Sequence, residues 1–485
     1  MKQSSEISSL PSMARSSHIM IDFEKLVSER LASHTDFYNS SPSVCNMSAP
    51  LTSEQRQNFD QIRQFLIESR EKFKPYPEDY FHGRGIVLTI GKFQIPYAKV
   101  NLKMIQFTGT VLPVQIWYSS LEISNDMIID LLEYVPKLSV SACCFESTQC
   151  QTLDTLWQLN PTYVFSPHMS GTLLKNFPYK PAAIISATFA EVLFLDCDSY
   201  LARDPEYLFQ FDPMYVKFGA LFFPDAMTSR QHISIWNLLN TTCAHNELEL
   251  DSSAILVDKR RVWKGLYLTK LMNDKHTLFY QHTDGDKDTF RLAFRFMHIP
   301  YYLVGIPCST GRFNGAHFCG LSLCKTDSLG RYIFIKYDKT VLSITNMMYF
   351  CNENSHIHLL KYVWVSYSSR NLAYTRIALC DPYNRSFSFQ FCQLSQLTPQ
   401  CFHIFAPDNR QRASSKCYTG RIPQNEIENY IYAPGESLVS ESINSNRVLI
   451  SETSSLIPGF ITHFLHYRQE VLEREASTLT QSFPH

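Results

Sequence analysis

Two aspartates two positions apart, Asp196 and Asp198, close the apolar run Val192–Leu195 in FAEVLFLDCDSYLARDPEYLF, residues 189–209. A carboxylate at the end of a buried strand is costly unless something pairs with it. In a straight strand, positions i and i+2 face the same side. That spacing suits one cation shared by two carboxylates, and the cation in turn can hold a diphosphate. The alternative for an isolated D-x-D is a strand end whose aspartates cap the next turn. A second charged group, Asp286-Lys287-Asp288 in GDKDTF, precedes the expected helix TFRLAFRFM, where Asp at the N-terminus is favoured without any catalysis. Lys180 stands ahead of another apolar helix.

The elements that must position these groups are those of an α/β chain. Apolar GRGIVLTIG predicts a strand over 86–90, YAKVNLKMIQFTG a helix ending near Gly109, LPVQIWYS a strand and SNDMIIDLLEYV a helix. Strand and helix alternating at this spacing imply βαβ units and a mostly parallel sheet. AAIISATFA reads as a helix entering the strand that ends on Asp196. FGALFFPD is a further strand, and SSAILVDKRRVWKGLYLTKLM passes from strand to helix. Upstream, LTSEQRQNFDQIRQFLIESREKF is an amphipathic helix with Thr52 or Ser53 as N-cap. Residues 1–52 are Ser-rich and aperiodic, as in a linker or disordered segment. A core domain is expected over 53–345, with a looser C-terminal extension over 346–485.

In an open α/β sheet, ligands sit beyond the carboxyl ends of the strands. Gly91, after the first strand, and Asp196–Asp198 would both lie on that rim. No complete G-x-G-x-x-G and no G-x-x-x-x-G-K-[ST] occurs, which argues against a dehydrogenase and a P-loop kinase or ATPase. A nucleotide held through a metal on D-x-D needs neither loop. Lys+Arg 44 against Asp+Glu 45 leaves a net charge of -1, no footprint for nucleic acid. Fourteen cysteines lack the paired C-x-x-C spacing of a zinc site and suit either free thiols or a few disulfides. His356 and His358 share one face of an expected strand, with no third ligand evident. No signal-peptide run and no bilayer-length apolar segment is visible.

Several ordered blocks make the chain similar to the fungal Golgi α-mannosyltransferases of the Mnn type (glycosyltransferase family 71). YKPAAIISATFAEVLFLDCDSYLARDPEYLF resembles that family's K-x-x-A-x-x-x-S-x-F-E-E-V-L-x-L-D-x-D block and its R-D-P-x-x-L-F continuation. GALFFPD, LELDSSAILVDKRRVWKGL, GDKDTFRLAF, PYYLVG and FCGLSLCKTDSLGRYIFIKYDK follow in family order. The resemblance implies a Rossmann-like GT-A fold, with GDP-mannose as donor and a mannosylated glycan as acceptor. It also implies Mn²⁺ on Asp196 and Asp198, retention of the α configuration, Golgi residence, and transferase-complex partners as an option. The motifs stand nearer the α-1,2 branch than the α-1,3 branch. A retaining route asks for a carboxylate near the anomeric carbon. Asp251, Asp286 and Asp288 are the candidates, with Lys180, Lys287, Lys336 and Gly91 as donor contacts.

Departures from the family pattern bear on activity. Where the family carries E-S-G-Q, this chain has Asp251-Ser252-Ser253-Ala254, a shorter carboxylate and no amide. Where it carries F-L-H, FIKYDK places Lys336, whose ammonium has no lone pair for a metal. The alternative to an active transferase is therefore a weakened GT-A-like subunit or glycan-binding module of a transferase complex.

Overall fold

The structure is a computed structural model that describes residues 50–168, 177–228, 231–241, 243–244, 248–304, 307–314, 317–328, 332–337, 363–366, 375–380, 387–392, 466–467 and 470–471. Helix α1 (Ser53–Arg70) starts where expected: Gln55 N donates to Thr52 Oγ1 and Thr52 N to Gln55 Oε1, a reciprocal capping box. The next elements are β1 (Arg84–Thr89), α2 (Ile95–Phe107), β2 (Val114–Tyr118), α3 (Asn125–Glu133) and β3 (Val140–Cys144). Short strands β4 (Gln149–Gln151) and β5 (Leu156–Gln158) lead to α4 (Tyr179–Ser186), β6 (Glu191–Leu195) and β7 (Ser199–Leu201). Then come α5 (Glu206–Phe211), α6 (Pro213–Phe218), β8 (Ala220–Thr228), α7 (Ser234–Leu238), β9 (Leu248–Asp258) and α8 (Lys259–Asp274). After α9 (His276–Phe279), α10 (Lys287–Phe296) and β10 (Tyr302–Leu303) the chain turns to β11 (Pro307–Asn314), β12 (His317–Thr326) and β13 (Tyr332–Tyr337). Strands β14 (Val363–Ser366), β15 (Thr375–Cys380) and β16 (Phe387–Cys392) complete the described elements.

Nine strands form one sheet in the order β10-β8-β9-β6-β1-β2-β3-β4-β5. Pairs β6–β1, β1–β2, β2–β3 and β8–β10 are parallel, and only β9 and β4 run against the others, so the sheet is mixed with one dominant direction. One face carries Ile86, Leu88 and Leu195 against Ala98 and Leu102 of α2 and Ile128 and Leu131 of α3. The other carries Val87, Val192 and Phe194 against Ala182 and Ile184 of α4, Val262 of α8 and Phe290 of α10. Alternation along β1 and β6 thus feeds two cores, and α1 adds an outer layer through Phe59, Ile62 and Leu66. Residues 192–195 are all wholly buried, each contributing on the order of 1.5–3 kcal/mol.

Because α2 and α4 lie on opposite faces, the connections leaving β1 and entering β6 diverge. The strand order reverses between them, which makes their carboxyl ends a topological switch point. A second, antiparallel sheet, β14-β11-β12-β13-β7, begins with β7 immediately beyond it. Three expectations need correction. Strand β6 stops at Leu195, so Asp196 and Asp198 sit in the turn to β7 rather than on a straight strand. The strand expected from Ser252 begins at Leu248, so Asp251 lies within β9. Helix α4 begins at Tyr179 and includes Lys180. His356, His358, residues 1–49 and most of 346–485 lie outside the described residues.

Candidate active site

The turn after β6 is held from beneath by Asn101 of α2, fully buried, whose amide reaches three carbonyls: Asp196 O at 3.0 Å, Cys197 O at 3.2 Å and Ser199 O at 2.9 Å. Asp196 N bonds Ser253 O of β9 at 2.8 Å, and Cys197 Sγ donates to Thr89 O at 3.0 Å. Three neighbouring elements therefore fix the carboxylate-bearing backbone. Asp198 is buried, and the Asp196 side chain keeps 17% exposure. Gly91 follows β1 on the same rim, its amide bonded to Gln94 Oε1 at 2.8 Å.

Lys180 brings the expected residues together. Its Nζ lies 2.9 Å from Asp196 Oδ1 and 3.1 Å from Oδ2, donates to Ser252 Oγ at 3.0 Å and stands 3.7 Å from Asp286 Oδ1. Asp286 occupies the N-cap position of α10 but makes no capping hydrogen bond. It is buried, its Oδ2 has no hydrogen-bond partner among the described residues, and burial raises its carboxyl, with Lys180 opposing and Asp196 adding to the rise. The loop before it is held by close contacts. Gly285 has φ +77°, and an added Cβ would meet the Phe177 ring at 2.8 Å, so glycine is required there. Thr289 Oγ1 donates to Asp286 O, Asn273 Nδ2 to Thr289 Oγ1 at 2.8 Å, and Thr283 Oγ1 to Gly285 O at 2.8 Å.

The other two catalytic candidates are differently placed. Asp251 Oδ2 meets Lys325 Nζ at 2.7 Å as an ion pair, its Oδ1 accepts from Ser253 N at 3.0 Å, and both side chains are buried. Lys325 Nζ also donates to Pro224 O. Asp288 is enclosed in the core: Arg291 stands at 3.1 Å, Gln231 Nε2 donates at 2.9 Å and Leu250 N at 3.2 Å. Burial raises its carboxyl against the pull of Arg291. Its contacts fasten α10 to β9. Lys287 lies 2.7 Å from both Asp225 Oδ2 and Glu249 Oε2, so it is paired with carboxylates. Lys336 sits in β13 in register with Ser199, the residue after Asp198; its side chain lies outside the described residues.

Asn101, Ser252, Lys325, Asp225 and Glu249 escaped the sequence reading. Asn101 had a signal, a polar residue on the apolar stripe Ala98, Leu102, Ile105 of a helix. Ion pairs among the described residues join Asp196 and Asp286 to Lys180, Asp225 and Glu249 to Lys287, Asp251 to Lys325 and Asp288 to Arg291. Among the described residues no group of three or more His, Cys, Asp or Glu side chains could hold a metal ion. Two carboxylates with diphosphate oxygens and water still suit a hard divalent cation, which keeps several waters and substrate oxygens in such sites.

A family model described as "Mannosyltransferase putative" matches residues 83–249 and 238–327, which together span slightly more than half of the chain. The chain belongs to this mannosyltransferase family. Curated relatives include "Putative alpha-1,3-mannosyltransferase MNN14" of Candida albicans, 34% identical over 152 residues, covering 30% of this chain and 20% of that protein. The alpha-1,3-mannosyltransferase MNT3 of Saccharomyces cerevisiae is 27% identical over 149 residues, covering 31% of this chain and 21% of that one. The alpha-1,2-mannosyltransferase MNN21 of Candida albicans is 23% identical over 336 residues, covering 59% and 49%. The chain thus aligns with between a fifth and half of the length of these relatives, and both linkages occur among their names. The bifunctional glycosyltransferase WbbM is similar in structure at TM-score 0.32 and 11% identity, over 48% of this chain and 40% of that one. The galactosyltransferase LgtC, bound to donor and acceptor analogues, gives 0.30 and 14%, over 44% and 70%. Mouse xyloside xylosyltransferase 1 gives 0.30 and 15%, over 46% and 84%. The α/β architecture with a mostly parallel mixed sheet is the one the sequence led us to expect. Among the described residues no helix is long and apolar enough to cross a membrane.

Proposed function

We propose that this chain is a retaining α-mannosyltransferase that moves mannose from GDP-mannose to an α-mannoside on a glycoprotein or cell-wall mannan. One juxtaposition carries the reading. At the switch point of a mannosyltransferase-family chain, Asp196 and Lys180 stand beside Asp286, a buried carboxylate with one oxygen that lacks a hydrogen-bond partner among the described residues, and Asp198 follows in the same turn as Asp196. Asp196 and Asp198 would hold the cation, Mn²⁺, which when bound neutralises charge developing on the leaving diphosphate. Gly91, Lys180 and Lys336 are the proposed donor contacts on the same rim.

Of the three candidate carboxylates, Asp286 is the one whose contacts favour catalysis, since Asp251 is paired with Lys325 and Asp288 with Arg291. In same-face attack, the bond from the anomeric carbon to the phosphate oxygen breaks with its electron pair leaving on GDP. The acceptor oxygen bonds that carbon, its proton passes to a phosphate oxygen, and Asp286 stabilises the positive charge at the sugar. In the covalent route Asp286 Oδ2 first bonds the anomeric carbon as its bond to the phosphate oxygen breaks and the electron pair leaves on GDP. The acceptor oxygen then bonds the carbon, the carbon–Asp286 bond breaks, and the acceptor proton passes to a phosphate oxygen. A mannosyl adduct on the peptide containing Asp286, sought by mass spectrometry, separates the two.

The test is GDP release from GDP-mannose with and without an α-mannoside, followed by NMR of the product linkage. Acceptor-dependent release is expected, with UDP-glucose inert and the α-1,2 product favoured over α-1,3. Donor binding without release under any acceptor would replace this reading with a non-catalytic subunit or glycan-binding module, which the neutralised Asp251 would suit. The Cys143–Cys150 disulfide supports residence in the oxidising secretory lumen, in keeping with the Golgi.

A further inference from the structure

Lys180 is bound more fully than a future phosphate contact needs to be. One ammonium spans both oxygens of Asp196, at 2.9 and 3.1 Å, while also bonding Ser252 Oγ at 3.0 Å and facing Asp286 Oδ1 at 3.7 Å. Three elements converge on it from outside its own helix α4: the β6–β7 turn, β9 and the start of α10. Its side chain keeps 12% exposure, so it is not a lysine resting on a neighbour at the surface. A divalent cation on the D-x-D turn needs an oxygen of Asp196, and the ammonium already contacts both. Two positive charges cannot share that carboxylate at ligand distance without strong repulsion in a partly buried site.

We infer that Lys180 is a built-in counter-ion. It holds the cation's place on Asp196 and yields the carboxylate only when a diphosphate arrives to receive the ammonium. This rests on the donor reading above and deepens it. Cation and nucleotide then load together: the free cation competes with Lys180, whereas the cation–diphosphate pair supplies a new anion for the displaced side chain. Lys180 is in this sense a positioning residue that sets the order of loading, in addition to any contact with the donor. Asn101 and Ser253 hold the turn's backbone in place, so the exchange requires motion of the lysine side chain alone.

Calorimetry of the full chain with Mn²⁺ alone, and with Mn²⁺ plus GDP, tests this in wild type, Lys180→Met and Lys180→Arg. Removing a charge-assisted contact of the usual strength should tighten free Mn²⁺ binding in Lys180→Met by roughly tenfold. The same variant should bind GDP with Mn²⁺ more weakly than wild type. Opposite signs in one variant distinguish a counter-ion from a plain phosphate contact, which would weaken GDP and leave free Mn²⁺ unchanged. Lys180→Arg keeps the charge and should retain the weak free-cation binding. Thermal melts establish that each variant is folded, and Lys180→Gln replaces Lys180→Met if the latter is not. Equal free Mn²⁺ affinity in folded wild type and the neutral variant would overturn the inference. Failure of wild type to bind GDP under any condition would instead sink the donor reading, while the free-cation comparison would still stand.

Discussion

Replacing Lys325 by methionine should cost this protein a large part of its stability. Lys325 Nζ lies 2.7 Å from Asp251 Oδ2, and the two side chains keep 2% and 9% exposure. Methionine preserves most of the stem's volume but leaves the Asp251 carboxylate buried without its cation. Breaking a buried pair on one side typically costs about 3–5 kcal/mol. That is a substantial share of the ~5–15 kcal/mol by which domains are stable. For a domain of this size it corresponds to a melting temperature lower by on the order of 10 °C. Asp251→Asn combined with Lys325→Met should recover most of the loss, because no uncompensated charge remains. A thermodynamic cycle over the four proteins, read by calorimetric melting, should give a coupling of roughly 2–3 kcal/mol. Additive single effects, or a Lys325→Met protein that melts within about 1 °C of wild type, would show that the pair is not the anchor described. Asp251 would then return as a catalytic candidate.

Two further outcomes concern other buried carboxylates, Asp286 and Asp212. Asp286→Asn should reduce mannose transfer by at least roughly a thousandfold, as for loss of a group acting on developing charge. Its melting temperature should not fall below wild type, because the amide removes a buried negative charge that desolvation already disfavours; a stability loss with normal turnover would make Asp286 structural. Burial, with Asp327 nearby, lifts Asp212 to about 6 from an ordinary 3.8, while it accepts from Met214 N, Tyr215 N and Ser328. The folded value lies above the unfolded one, so the native state holds the proton more tightly. This group's stabilising term is fully present below about pH 4 and is lost as pH rises through about 6. Asp212→Asn should flatten the denaturant-measured stability across that window, and an unchanged slope would assign it to other groups.

Much of the core was legible because β1, β2, β6, α2 and α3 carry their periods in apolar residues. Alternation reports which side chains are buried, but it does not report strand direction. The antiparallel course of β9 was therefore hidden, and with it the placement of Asp251 inside a strand. GDKDTF marked the charged start of a helix, yet nothing local separates Asp286 from Asp288. Two residues of helix rotate one carboxylate towards Lys180 and the other onto Arg291. Lys325 was invisible because its partner lies 74 positions earlier, across two sheets. The D-x-D turn was readable for the opposite reason: its cost at the end of an apolar run is a local fact, even though the strand ends at Leu195, before either carboxylate.

The central claim is that the turn after β6 binds a nucleoside diphosphate sugar through a divalent cation. Calorimetric titration of GDP-mannose, with and without Mn²⁺, into wild type and Asp198→Asn tests it most directly. Wild type should bind one donor per chain only when Mn²⁺ is present. Asp198→Asn, folded and of similar melting temperature, should lose at least roughly a hundredfold in affinity, about 2.7 kcal/mol. Identical isotherms for the two proteins would contradict the assignment of this turn as the donor site.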